Sequence, residues 1–129
     1  MPKNKAKYVD GFVLVVPTDK TAVYKKMALS AAKVWKKHGA LDYKECIGED
    51  MGPNMGEMIA LTFPKLTKLK KGETVWFSFI TYKSRAHRDQ VNKKVMAEMS
   101  EYAEKHKDLQ MPFDTRRMAY GGFKVIVGA

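Results

Sequence analysis

Residues 73–83, ETVWFSFITYK, constrain the fold of this chain more than any other stretch. An extended backbone sends alternate side chains to opposite faces. Val75, Phe77, Phe79 and Thr81 therefore share one side, and Trp76, Ser78, Ile80 and Tyr82 share the other. Both sides are largely apolar. Such a strand belongs inside a sheet that is covered above and below, because an uncovered apolar face of that size marks an interface.

The neighbouring elements supply one cover. Residues 8–16 read as a first strand, closed by Pro17 and out of character only at Asp10 and Gly11. A helix is expected over residues 20–38, with Thr18 or Asp19 as its cap. Its stripe is Val23, Met27, Ala31, Val34 and His38, and Gly39 is its stop. Residues 41–47 alternate Leu41, Tyr43, Glu45 and Ile47 against Asp42, Lys44 and Cys46, a polarity suited to a sheet edge. Residues 48–56, GEDMGPNMG, form a loop, residues 58–63 an extended segment, and Pro64 opens a helical turn that Gly72 ends. Ser84 caps a second long helix, to about residue 106, with Ala86 or His87, Val91, Val95, Met99 and Tyr102 along its inner stripe. After a loop over 107–114, residues 120–127 make the last strand.

The order is strand, helix, strand, strand, helix, strand. Two half-units of that kind, joined by right-handed crossovers, give an α+β, ferredoxin-like βαββαβ fold: a four-stranded antiparallel sheet with both helices on one face. The economical cover for the other face is a second copy packed sheet to sheet, a symmetric homodimer that forms an α/β barrel.

At 129 residues the chain fits a single domain spanning 1–129, with residues 1–7 as a basic, flexible N-terminus. No apolar run approaches the roughly 20 residues a membrane helix needs, and no export signal precedes the first strand. The single cysteine, Cys46, has no disulfide or metal-ligating partner at a recognisable spacing, which points to the reducing cytoplasm. The net charge of +10 raises the prospect of an acidic partner, nucleic acid included. The lysines are spread along the chain without interleaved aromatics, the pattern of a solvated surface rather than of a single-strand groove.

The stretches YVDGFVLVVP, KVWKKHGALDYKECIGED, TFPKL, YKSRAHRDQVNKKVM and MPFDTRRMAYGGFKVIV resemble the small bacterial family DUF1428 over residues 8–127. The resemblance implies a dimeric α/β-barrel, ferredoxin-like fold and brings no established activity. Residues 51–58 are longer and richer in methionine than the family's usual connection, so nothing about that loop is carried over.

The candidate chemistry comes from two places. Tyr82, Ser84, Arg85, His87 and Arg88 gather where the third strand enters the second helix, and free backbone N–H groups there favour an anion. A phenol, an imidazole and two guanidiniums can bind a carboxylate or phosphate and move a proton. The plainer reading makes Ser84 a cap, Arg85 and Arg88 solvent-facing, and His87 a satisfied boundary residue. Asp10, a carboxylate in an apolar strand, needs a partner. Arg116 or Arg117 is the expected one, pinning FDTRRMAYGG in a salt bridge, with Gly121 and Gly122 as a hinge into the last strand. His38 reads as a helix-end cap and His106 as solvated. Three dispersed histidines argue against a metal, and no cofactor is expected.

The expected function is binding of an anionic small molecule, or an enzymatic role, in a pocket between sheet and helices. His87, Asp10 and Tyr82 are its catalytic candidates, and Arg88, Arg85 and Arg116 its ligand-binding ones. The alternatives are a basic module for nucleic acid and a purely structural dimer.

Overall fold

The computed structural model describes residues 6–108 and 110–129. Its sheet has four antiparallel strands: β1 (Tyr8–Pro17), β2 (Asp42–Ile47), β3 (Glu73–Tyr82) and β4 (Ala119–Lys124), in the order β2-β3-β1-β4. β3 and β1 are central and β2 lies at an edge, where its polar alternation fits. Three helices accompany it: α1 (Thr21–Lys37), a single-turn α2 (Phe63–Thr67) and α3 (Arg85–Lys105). No helix among the described residues is long and apolar enough to cross a membrane.

Register decides which side chains meet the helices. Tyr8 pairs with Tyr82, Asp10 with Ile80, and Leu14 with Trp76, so these residues share one face. Val91 and Val95 of α3 pack there against Tyr8, Ile80 and Tyr82, and Tyr24 and Ala28 of α1 against Leu14, Val16 and Trp76. Both long helices thus cover the same face.

The other face carries Val9, Gly11, Val13, Phe77, Phe79 and Phe123, in register across the central and outer strands. Phe77 is 43% and Phe123 61% exposed, whereas Val15 and Val75 at one end are buried, so this face is open in part in one copy of the chain. Beyond β4, which ends three residues before the expected boundary, Ile126 and Val127 are also exposed.

Helix ends show where local chemistry rules. Ser84 caps α3 as expected, its hydroxyl accepting from the His87 N–H at 3.0 Å. At α1, neither Thr18 nor Asp19 caps by its side chain; residues 18–20 form a 3-10 turn, and Thr21 Oγ1 donates to the Thr18 carbonyl at 2.7 Å. Its C-terminus closes as a Schellman motif. Gly39, at φ +112°, donates to Lys36, and Ala40 donates to Trp35 at 3.0 Å. The expected extension over 58–63 is not a strand; α2 starts at Phe63, capped by Thr62, which pairs with the Lys65 N–H.

The helix stripe expected for α1 is shifted by one position. Tyr24 and Ala28 are its buried residues, while Val23 is exposed and Met27, Ala31 and Val34 are half-buried. The expected stripe lines a cavity, described below, and only its Met27 and Val34 also pack against the core.

Candidate functional site

Asp10 sits on the helix-facing side of β1, 8% exposed. Its partner is Arg88 of α3, whose Nε lies 3.2 Å from Asp10 Oδ1. The salt bridge to Arg116 or Arg117 does not form. Those residues precede β4 in a 3-10 turn, where Arg116 turns back onto Asp114 (3.0 Å) and Arg117 pairs with Glu73. Nor does Arg88 face solvent. Its Nη2 donates to the Tyr8 hydroxyl at 3.1 Å, and its guanidinium carbon stands 5.1 Å from the centre of the Tyr8 ring.

Burial pushes the Asp10 carboxyl above its ordinary value, and Arg88 pulls it part of the way back. The buried Tyr82 hydroxyl, raised above its ordinary value by burial and by the charge on Asp10, donates to Asn92 at 3.4 Å.

The glycine pair takes its meaning from this cluster. Gly121 and Gly122 are not a hinge into β4 but lie inside it, opposite Gly11 and Asp10. A Cβ at Gly122 would overlap both the Tyr8 hydroxyl and the Arg88 guanidinium, whereas one at Gly121 would meet only the Phe123 ring at 3.9 Å. Gly122→Ala is therefore expected to cost about 2–3 kcal/mol, because buried Tyr8 must shift and the Arg88 pairing with it. Gly121→Ala should lie within about 0.5–1 kcal/mol of the parent. Urea denaturation of the two variants side by side checks the contrast, and equal losses would remove the special role of Gly122.

His87 is a satisfied boundary group. Its Nδ1 accepts the Lys83 N–H at 3.0 Å, and burial with nearby Lys83 holds it below the ordinary histidine value. Arg85 is exposed and pairs with Asp89 at 3.3 Å. The structure thus brings Asp10, Tyr82 and Arg88 together, seats His87 beside them against the Tyr82 ring, and leaves Arg85 and Arg116 apart. His38, expected to cap α1, also holds Glu98 of α3 at 2.8 Å, and His106 stacks on Tyr102. Among the described residues, no group of three or more His, Cys, Asp or Glu side chains is placed to hold a metal ion.

None of the six candidates lines the principal cavity. That cavity, of about 580 Å³, lies between the sheet and helices α1 and α3, next to the Asp10 cluster. Its walls are mainly apolar: Phe12 and Ile80 from the sheet, Met27 and Trp35 from α1, Met99 from α3 and Phe113 from the loop before β4. Within this lining the sheet supplies an ordered polar device. Glu45 of β2 accepts from Tyr24 through Oε1 and from Tyr43 through Oε2, both at 2.7 Å. Burial and the Glu45 carboxylate together push both phenols far above their ordinary value, so they remain donors at any physiological pH.

Sequence reasoning missed this trio. Glu45 appeared only as one member of an edge strand's alternation, although it shares a face with Tyr43 and Ile47. A carboxylate on the apolar face of a strand is the same anomaly that singled out Asp10, and it was the available signal.

The model of a family described as "Protein of unknown function (DUF1428)" matches residues 7–115. Uncharacterized protein YbaA of Escherichia coli strain K12 is 42% identical over 123 residues, covering 94% of this chain and 97% of that protein, and the YbaA of Shigella flexneri matches equally. Among solved structures, the crystal structure of AtUAH in complex with glyoxylate aligns with 79% of this chain at 16% identity and a TM-score of 0.36. This chain spans only 25% of that one, and so distant a likeness carries no argument.

Proposed function

The chain belongs to the DUF1428 family, and from that premise we propose that it is a homodimer of ferredoxin-like subunits that binds a small molecule in the cavity between each sheet and its helices. The carrying observation is the cavity itself: about 580 Å³, apolar, with Glu45 held by two tyrosines as a fixed polar anchor. That size and lining, a greasy wall with few convergent polar groups, is the usual form of a small-molecule site. The anion expected from the sequence loses its support. Arg88, Arg85 and Arg116 are each paired with a carboxylate of the chain, and none lines the cavity. Binding is favoured over acid–base catalysis, because both Glu45 oxygens are already engaged by phenol hydroxyls of the chain.

The dimer follows from the open face of the sheet, which would close a barrel of two sheets. The nucleic-acid alternative meets a physical objection there. By register the face presents the aromatics Phe77, Phe79 and Phe123, but Lys44 is the one basic residue that the strands place on this face, and Lys44 pairs with Asp42. Single-strand binders set cations among their stacking rings. The same reading puts the protein in a reducing, cytoplasmic setting, since Cys46 is free and exposed.

Filling the cavity tests the site. Ala31, on the α1 wall, is half-buried and opens directly onto the void. Ala31→Trp is expected to lower the affinity for a neutral apolar dye such as Nile red by about tenfold or more, with the circular dichroism of the chain unchanged. Dye binding that survives this substitution unaltered would dismiss the cavity as the site.

A further inference from the structure

The charge inside the cavity specifies its ligand further. Glu45 has no Lys, Arg or His within ion-pair distance among the described residues; its only partners are the hydroxyls of Tyr24 and Tyr43. Two neutral donors leave a carboxylate with its net charge uncompensated and with lone pairs to spare, since it can accept about four hydrogen bonds. Glu98, a second carboxylate on the lining, is by contrast already paired with Lys37 and His38, both at 2.8 Å. Lys26, the one lysine on the lining, is exposed to solvent.

The aromatic surfaces are arranged around the same carboxylate. Tyr24 makes an edge contact with Phe113, and Trp35 lies 5.9 Å from Tyr43, ring centre to ring centre. Phe12 adds a further ring to the wall. Ring faces attract cations and are indifferent or unfavourable to anions. An uncompensated carboxylate among aromatic rings, inside an apolar cavity, is the complement of one chemical class.

We propose that the cavity takes an organic cation, a protonated amine on a hydrocarbon or aromatic body, with the ammonium donating to Glu45 and the body lying against Met27, Trp35 and Met99. This rests on the reading of the cavity as a ligand site and adds to it the charge of the ligand. The chain's overall charge of +10 does not oppose it, because the surface lysines act through solvent and are screened within about 10 Å at 0.1 M salt, while Glu45 acts at contact. Burial and Glu45 hold Tyr24 and Tyr43 in their protonated form, so they keep the carboxylate aimed and supply no competing charge.

The test compares three ligands that share a body and differ in the head: phenylbutylamine, phenylbutanol and phenylbutanoate, titrated calorimetrically into the full chain at near-physiological salt. The amine is expected to bind about tenfold or more tighter than the alcohol, with the carboxylate weakest. Glu45→Gln should bring the amine down to the level of the alcohol and leave the alcohol within about threefold of its parent affinity. The ranking on the unmodified chain decides the case even if the variant folds poorly. Alcohol binding as tight as the amine overturns the cation and leaves the cavity standing as a site. Binding by none of the three also overturns the proposal, and the Nile red titration then decides separately whether the cavity binds anything.

Discussion

Replacing Arg88 by Ala is expected to destabilise the fold by about 2–4 kcal/mol at neutral pH. Breaking a buried ion pair from one side costs about 3–5 kcal/mol, because the charge that remains has lost its partner in a poor solvent. A fifth of the Arg88 side chain meets water, which places the figure at the lower end. Asp10 would be left inside the sheet, and Tyr8 would lose the guanidinium that its hydroxyl and ring both engage.

The pH dependence gives the loss a signature. Burial already raises the Asp10 carboxyl above 3.8 in the parent, so the native state holds that proton more tightly than the unfolded chain does. Stability associated with Asp10 is therefore greatest at low pH and falls as pH rises through its folded titration. Without Arg88 the carboxyl rises further. The penalty should thus be full at neutral pH and shrink at acidic pH, as the raised Asp10 carboxyl takes up its proton. Urea denaturation at neutral and at acidic pH, at one protein concentration, measures both. The double change Asp10→Asn with Arg88→Met should recover most of the loss, since removing both charges leaves none unpaired. A cost below about 1 kcal/mol, or one independent of pH, would contradict the assignment of the pair.

What the sequence made legible, and what it did not, divides by range. The β3 alternation, the Ser84 cap and the Gly39 stop are local, and each appears in the structure where its residues place it. The Asp10 partner was not local. The inference that β4 lies beside β1 is correct, but adjacency of strands does not bring every residue near their junction into reach. The position opposite Asp10 is Gly122, whose missing side chain leaves the space that Arg88 enters from α3. Charge anomalies in a sequence announce that a partner exists; the register and the glycine decide which one.

The cavity was illegible for a related reason. A helix stripe of Val23, Met27, Ala31 and Val34 has the same spacing whether it faces a packed core or a void, because periodicity records direction and not distance. Tyr24, one position round, is what touches Trp76, at 4.8 Å between ring centres, and it reaches Glu45 across 21 residues of chain. No spacing rule links those two positions. The overlooked sign was the carboxylate itself, sharing a strand face with Tyr43.

Lysine at both Phe77 and Phe79 is expected to leave the chain a folded monomer at micromolar concentration. The sheet, four strands about 4.8 Å apart with about eight residues of usable length, presents roughly 500 Å² in projection. Ile126 and Val127, exposed just beyond β4, add to the apolar surface available towards the scale of about 800 Å² per partner that stable dimers bury. Phe77 and Phe79 stand on a central strand, so in a two-fold sheet-to-sheet contact they fall near its middle, where truncating an aromatic costs about 2 kcal/mol or more. Two charges in their place raise the dissociation constant by about a thousandfold or more. Leu29→Lys, on the outer side of α1 and 59% exposed, should leave the proposed dimer untouched. Sedimentation velocity across a dilution series reads all three proteins. A parent chain that sediments as a stable monomer would refute the dimer, and salt-sensitive RNA binding lost in the double variant would give this face to nucleic acid instead.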